Sequence, residues 1–425
     1  MPQPDIKKLP PLRKLSYSRT FGPGLITGAS DDDPSGILTY LQAGVMLGLQ
    51  TLWTALLTLP LMFGIQEMCG RIGFVTRRGL VALIKSRYSR PTLAFLTFIS
   101  VAVIIINIGA DLLAVGTVIE YLVGGSRMFW LPVIAALILF CTIYLSYRKF
   151  ARILKWLSFS LVFYIITAFY INLDWKAALL ATIKPNWDFS PDFIMLVAAI
   201  LGTTISPYLF FWQANEEAEE KGLSDNPGRA TKDELQVIRQ DTFWGMAFSN
   251  IAAWFIIAGA SQLSAQYGIT SIVSFEQAAL VLTPILGKFA YLVFALGIVG
   301  TGLLAIPVLA GSIGYTLSEI FGWREGINKP FHRARGFYLS IAGATVLGML
   351  LTMLGFDPVQ LLIYTAVLYA LITPILIFFI IRLGNDRKLM GEYKNPWWSN
   401  LLAWLTLVFT ACATLAYLWT KLFQG

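Results

Sequence analysis

Three consecutive aspartates, Asp31, Asp32 and Asp33, are followed by Pro34-Ser35-Gly36 inside an apolar stretch that runs from about Phe21 to Gln50. That stretch is longer than the roughly 20 residues a helix needs to cross a bilayer. A charge at mid-membrane costs at least about 2.5 kcal/mol, so three together must face protein, water or an ion. Pro34 removes a helix hydrogen bond and Gly36 relaxes the backbone beside it, so the helix is expected to break there. Carboxylates beside unwound carbonyls are the ingredients of a cation site within a membrane. Asp33 is the first ligand candidate, with oxygens of Ser30 and its neighbours completing the shell. Asp32 is a further ligand candidate and Asp31 a residue of the ion path. Of these two, one is expected to face an aqueous vestibule and one to cap the following half-helix, whose N-terminus favours negative charge.

The elements around the triplet follow from composition. Of 425 residues, 56% are hydrophobic and only 13% charged, which describes a polytopic membrane protein rather than a soluble domain. The first 20 residues are polar and basic, with no short apolar core before a small-residue cleavage site. Cys69, Cys141 and Cys412 are scattered through apolar segments and suggest neither a disulfide framework nor a zinc site. Apolar runs bounded by charge or turn residues predict eleven spans, near 22–48, 51–70, 93–122, 128–147, 153–172, 192–214, 240–262, 288–318, 336–355, 358–383 and 398–420.

Loop charge tests that count. Of the 32 lysines and arginines, only Arg127, Lys176, Lys184, Lys288 and Lys421 fall on one set of alternate loops, and the rest fall on the other. The positive-inside rule then puts the N-terminus in the cytoplasm and the C-terminus outside, and an even number of spans would spoil the alternation. The net charge of +8 is explained by topology, so no nucleic-acid partner is expected. Segment 71–90 is expected to lie partly as an interfacial helix against anionic lipid. Segment 216–241, rich in glutamate and holding Asn226-Pro227-Gly228, reads as a solvated, mobile loop. Glu67 is expected to pair with Arg71, and Gln213 and Asn215 to cap the sixth span or line a vestibule. Trp187, Trp323, Trp397 and Trp398 fit interfacial anchors.

A second break is expected five spans after the first. The sixth span reads Gly202-Thr203-Thr204-Ile205-Ser206-Pro207-Tyr208, and Pro207 occupies the position equivalent to Pro34 in the first. Transporters built from inverted repeats place their substrate between two such breaks. Pro34, Gly36 and Pro207 are therefore the hinge candidates. Ser206 and Thr203 are ligand candidates on the second break, and Tyr208 a residue able to close the cavity. Asn107 and Asp111 lie four apart on one face of the third span, lining the ion path or forming a buried pair.

These residues resemble a family. Gly22-Pro23-Gly24 with Asp33-Pro34-Ser35-Gly36 is similar to the first helix of the NRAMP divalent-metal transporters, whose motif there is Asp-Pro-Gly-Asn. Ser206-Pro207-Tyr208 stands where that family has Met-Pro-His, and Gln66-Glu67 through Gly79-Leu80 resembles its second span. The resemblance covers essentially all eleven spans. It implies an all-α LeuT-like fold: a tail over 1–20, inverted five-helix repeats over 21–182 and 183–385, and a loop and eleventh helix over 386–425. It also implies alternating-access import of a divalent cation across the plasma (cell inner) membrane, by a protein that is not an enzyme and is expected to act as a monomer. No cofactor is implied beyond the transported ion, and the lipid bilayer is the other partner.

The departures from the family pattern narrow the ion. Ser206 replaces a methionine sulfur with a hard oxygen, and Gly36 removes a side-chain ligand, so the cavity is expected to be larger. Both suit magnesium, which keeps several waters, over manganese or iron. They resemble the NRAMP-related magnesium branch. The family's histidine is Tyr208 here and the glutamate after Asp111 is Ala114, so uptake without proton coupling is expected. Three alternatives remain: a proton-coupled manganese or iron carrier, a LeuT-fold symporter of an organic solute, and a non-transporting sensor. Three aspartates argue against binding an anionic solute group. An intramembrane aspartyl protease acting through Asp33 and Asp111 lacks the Gly-x-Gly-Asp motif.

Overall fold

The computed structural model describes residues 22–144, 161–223 and 230–423. The tail over 1–20, residues 153–160 of the fifth span and residues 224–229 lie outside the described residues. The principal helices are α1 Pro23–Asp31, α2 Pro34–Leu47, α3 Leu52–Thr76, α4 Leu80–Arg87, α5 Arg90–Val123, α6 Arg127–Tyr144, α7 Val162–Tyr170, α8 Trp175–Ile183, α9 Pro191–Thr204, α10 Pro207–Leu223, α11 Lys232–Tyr267, α12 Phe275–Ala279, α13 Ala290–Phe321, α14 Arg335–Leu351, α15 Pro358–Gly384 and α16 Trp397–Phe423. Among the described residues, nine helical stretches are long and apolar enough to cross a membrane. The first span is absent from that count because it is divided into α1 and α2. The fifth is absent because only its last part, α7, is described.

Helices α1, α2, α3, α10 and α11 pack on one another, and α5, α13, α14 and α15 form a second group. Helix α9 lies along α15, and α10 along α13, which joins the two groups. Small residues set the crossing of α1 on α11. A Cβ on Gly28 would stand 2.2 Å from the Gly245 carbonyl carbon, and one on Gly245 would stand 2.3 Å from the Gly24 carbonyl oxygen. Gly24 and Gly28, four apart, thus lay α1 backbone-to-backbone on α11, the close approach that membrane helices use in place of a hydrophobic driving force. The free N–H groups at the start of α1 are met from the same partner. Asp241 of α11 accepts from Gly22, Gly24 and Leu25 at 3.1, 2.7 and 3.3 Å. An otherwise uncapped helix end is thereby satisfied by a carboxylate matched to its dipole.

Among the described residues, the basic loops gather at one end of the molecule. Buried Arg71 pairs with Glu67 at 3.1 Å, as the sequence led us to expect. It also donates to the Tyr393 carbonyl at 3.0 Å and to Asn395 Oδ1 and Ser399 Oγ, each at 3.1 Å. Tyr393 in turn donates to the Ala230 carbonyl at 2.6 Å, and Lys85 to that of Ile320 at 2.6 Å. Arg87 meets Asp386 at 3.1 Å. The loops that follow α3 and α13, precede α11 and link α15 to α16 therefore share one end.

Two expectations about this end are corrected. The acidic segment after 216 is not a solvated loop: α10 continues to Leu223, Glu217 and Lys221 are buried, and Lys221 reaches Glu234 of α11 at 2.8 Å. Helix continuation satisfies the backbone, and the charges find one another across α10 and α11, so polarity here marks an interior ion pair. Gln213 and Asn215 accordingly lie inside α10. Gln213 accepts from Thr27 Oγ1 of α1 and donates to Glu217 at 3.2 Å, while Asn215 donates to the Phe211 carbonyl at 3.0 Å. Segment 71–90 does contain a helix, α4, but its Leu80, Val81, Leu83 and Ile84 are buried within the protein rather than laid on lipid. Trp187, Trp323 and Trp397 are exposed, consistent with interfacial anchoring.

The α1–α11 crossing gives a direct test. Gly28→Ala should destabilise the protein by roughly 1–3 kcal/mol through overpacking, read as a lower thermal midpoint in detergent. Gly343→Ala, on an open face of α14 with nothing within 4 Å of the new methyl, should leave the midpoint unchanged or slightly raised. Equal midpoints for the two variants would exclude the crossing as a constraint.

Candidate cation site

The first break is built from the order of residues. Helix α1 ends at Asp31, and Asp32 leaves the helical region with φ −83° and ψ 57°. Asp33 is extended, and its Oδ1 accepts the Gly36 N–H at 2.7 Å, capping α2. The expectation that Asp31 or Asp32 would supply this cap is thus corrected. Pro34 takes the first helical position, where its missing N–H costs nothing, so only Asp33 occupies the N-cap.

The three carboxylates diverge. Asp33 Oδ2 accepts from Asn107 Nδ2 of α5 at 3.0 Å, and the same nitrogen lies 3.4 Å from Asp111 Oδ2. Asn107 and Asp111 thus form the buried pair that was one of their two sequence readings, and the pair also holds Asp33. Asp31 and Asp32 turn the other way, toward α11, where Ser249 Oγ stands 2.7 Å from Asp31 Oδ2 and 3.1 Å from Asp32 Oδ1. Both are wholly buried, so neither faces an aqueous vestibule in this conformation, another correction. A carboxylate inside the bilayer is held at lower cost by a hydroxyl of a neighbouring helix than by exposure to hydrocarbon.

The second break mirrors the first. Helix α9 stops at Thr204, Ile205 has φ −112° and ψ 61°, and Pro207 opens α10. The Ser206 hydroxyl donates to the Thr203 carbonyl and lies 3.3 Å from that of Gly202. The Thr373 hydroxyl of α15, which donates to the Tyr369 carbonyl at 2.7 Å, lies 3.2 Å from the Ile205 carbonyl freed by the break.

The two breaks touch. Tyr208 donates to the Ser30 carbonyl at 2.7 Å, and Tyr40 lies 3.2 Å from Thr204 Oγ1. The Gly36 Cα faces the Thr203 side chain closely enough that a Cβ there would be 3.3 Å from Thr203 Oγ1. Glycine at 36 therefore lets the halves approach instead of opening a larger cavity, another correction. The Ser30 hydroxyl is turned to the Ile26 carbonyl at 2.9 Å, so its carbonyl, not its side chain, faces the junction. Ser30, Asp33, Thr203, Ser206 and Tyr208 are all buried.

Oxygen dominates this junction: the Asp33 carboxylate, the Thr203 and Ser206 hydroxyls, and the Ser30 carbonyl. Among the described residues, no three histidine, cysteine or acidic side chains converge as a ready metal cluster. A cation here would take one carboxylate, hydroxyls, carbonyls and water, a hard-ligand set. Sequence reasoning missed Ser249, Thr373 and Tyr40. Ser249 alone left a signal, as part of the Ser249-Asn250 polar pair within an apolar span.

A family model described as "Natural resistance-associated macrophage protein-like" matches residues 24–420. "Divalent metal cation transporter MntH 1" of Pseudomonas aeruginosa is 26% identical over 426 residues, covering 96% of this chain and 93% of that protein. "Divalent metal cation transporter MntH" of Agrobacterium fabrum is 26% identical over 411 residues, covering 92% and 85%. The Eremococcus coleocola manganese transporter, solved in complex with an aromatic bis-isothiourea substituted compound, superposes with a TM-score of 0.69 at 18% identity, covering 94% and 85%. Mhp1 in its inward facing conformation superposes with a TM-score of 0.52 at 14% identity, covering 94% and 91%. At such identities the structures speak to fold alone, and that fold is the LeuT-like one: inverted five-helix repeats with an eleventh helix.

The link between the two breaks is open to measurement. Tyr208→Phe removes the bond to the Ser30 carbonyl and leaves that acceptor unpaired, a loss of about 1–3 kcal/mol. Thermal or chemical unfolding should register the lower stability, and an unaltered midpoint would mean that this bond does not join the breaks.

Proposed function

From the chain's membership of the natural resistance-associated macrophage protein-like (Nramp) family, we propose that it is an integral membrane transporter of divalent metal cations, importing magnesium as a partly hydrated ion. The observation that carries the proposal is the all-oxygen donor set where the two breaks meet. Asp33 is the principal ligand, with the Thr203 and Ser206 hydroxyls and the Ser30 carbonyl around it. Asp32, the other ligand candidate, is turned to Ser249 on the α11 side, away from this set, and Asp31, Asn107, Asp111 and Tyr208 border the path. Pro34, Gly36 and Pro207 are the hinges about which the half-helices move in alternating access. Serine in place of a sulfur ligand at 206 favours an ion that prefers oxygen. Tyr208 and Ala114 supply no side chain that titrates near neutrality, which supports transport without proton coupling.

The driving force is then electrical: a divalent cation gains about 4.6 kcal/mol per 100 mV on moving to the negative side. The basic loops, gathered at one end, are the cytoplasmic face of the plasma (cell inner) membrane in this reading, with the N-terminus inside and the C-terminus outside. The repeats divide as 21–182 and 183–385, and the monomer is the working unit. The second reading is a proton-coupled manganese or iron carrier, which lies within the class named by the divalent metal cation transporter relatives.

Uptake into liposomes containing the purified protein separates these readings. Magnesium should enter down an inside-negative potential with no change of internal pH. Stoichiometric acidification would replace the uncoupled reading with the coupled one, and solute uptake indifferent to divalent ions would end both. Asp33→Ala should abolish uptake in protein that still folds, and retained full uptake would remove Asp33 from the site. Ser206→Met should shift competition between the two metals toward manganese, and an unshifted ratio would place residue 206 away from the ion.

A further inference from the structure

The carboxylates that Asp33 leaves behind form a site of their own. Ser249 Oγ lies between Asp31 Oδ2 and Asp32 Oδ1, at 2.7 and 3.1 Å. A hydroxyl carries one proton and can donate to only one of them, so the second contact brings two acceptor oxygens together with nothing between them. The other oxygen of each carboxylate, Asp31 Oδ1 and Asp32 Oδ2, has no hydrogen-bond partner at all, and both residues have 0% exposure. Among the described residues neither forms an ion pair with a lysine or arginine. Buried acceptors without donors must be neutralised, by protons or by a cation, and two adjacent carboxylates with a hydroxyl are suited to a cation.

We infer that Asp31, Asp32 and Ser249 form a second divalent-cation position, on the α11 side of the first break and separate from the one at Asp33. Asp33 is turned to α5 through Asn107, so the two positions lie on opposite sides of the unwound segment. Two carboxylates and a hydroxyl offer up to five oxygens, a hard set suited to the same class of ion as the first position. A divalent ion neutralises both charges, whereas a monovalent ion would leave one uncompensated. Helix α11 is already in backbone contact with α1 through Gly28 and Gly245, so the pair of aspartates is carried rigidly against Ser249. The inference rests on the divalent-transport reading.

Manganese binding to the purified full chain tests it, with the stoichiometry read by electron paramagnetic resonance and magnesium added as competitor. The wild type should bind two ions per chain, Asp33→Asn should bind one, and Asp31→Asn/Asp32→Asn should bind one. Ser249→Ala keeps both carboxylates and should weaken one of the two ions by about tenfold or more, the effect of losing one bond to a charged group. It also covers the case in which the double variant fails to fold. One ion per chain in the wild type, or two undiminished ions in Ser249→Ala, would overturn the second position. Uptake in liposomes keeps this distinct from the parent reading: transport with a single bound ion removes only the second position. Absence of both binding and uptake removes both.

Discussion

Keeping three neighbouring carboxylates inside an apolar protein is the constraint on which the rest of this structure depends. A continuous helix through Asp31–Asp33 would place successive side chains about 100° apart, away from the donors that receive them here. The break at Asp32 and Pro34 avoids that by letting the backbone turn between residues. Asp33 is then spent on the start of α2 and on Asn107, while Asp31 and Asp32 reach Ser249. The surrounding helices are arranged to meet these demands. Helix α11 comes close enough to present Ser249 only because Gly24, Gly28 and Gly245 let two backbones touch.

The second break is organised by the same economy with weaker groups. It carries no charge, so hydroxyls suffice: Ser206 returns its proton to the Thr203 carbonyl, and Thr373, bonded to the Tyr369 carbonyl, lies beside that of Ile205. What joins the breaks is neutral as well, the Tyr208 hydroxyl on the Ser30 carbonyl. Charge is thus concentrated on one half-helix pair and polarisable neutral oxygen on the other. An ion entering between them would find its counter-charge on one side and an adaptable shell on the other. A neutral link is also easier to part than an ion pair would be in a low-dielectric interior. That suits a junction whose halves would separate in the proposed alternating access.

Much of this was legible in the residue order. The spans follow from apolar length, and the basic loops from their alternation. The breaks follow from proline beside small residues, and the Glu67–Arg71 pair from helical spacing. Polarity misled wherever it was read as exposure. Glu216 and Glu217 continue a helix and are buried, Glu216 accepting from Tyr315 of α13, and Lys221 of the same helix pairs with Glu234 of α11. Gly36, read as enlarging a cavity, instead brings α2 close to Thr203. In each case a residue type permits two outcomes, and the neighbour that selects one is far away in the chain.

The sequence by itself therefore determined the number and order of the spans, where two of them fail to remain helical, and that the donors at the breaks are oxygens. Hydropathy, proline and residue chemistry are local properties and need no knowledge of the fold. Only the tertiary structure decided how the triplet divides, with Asp33 toward α5 and Asp31 and Asp32 toward α11. Side-chain direction at an unwound segment is set by φ and ψ and by the donors that neighbouring helices present. Those donors, Asn107 and Ser249, stand 74 and about 217 residues away along the chain.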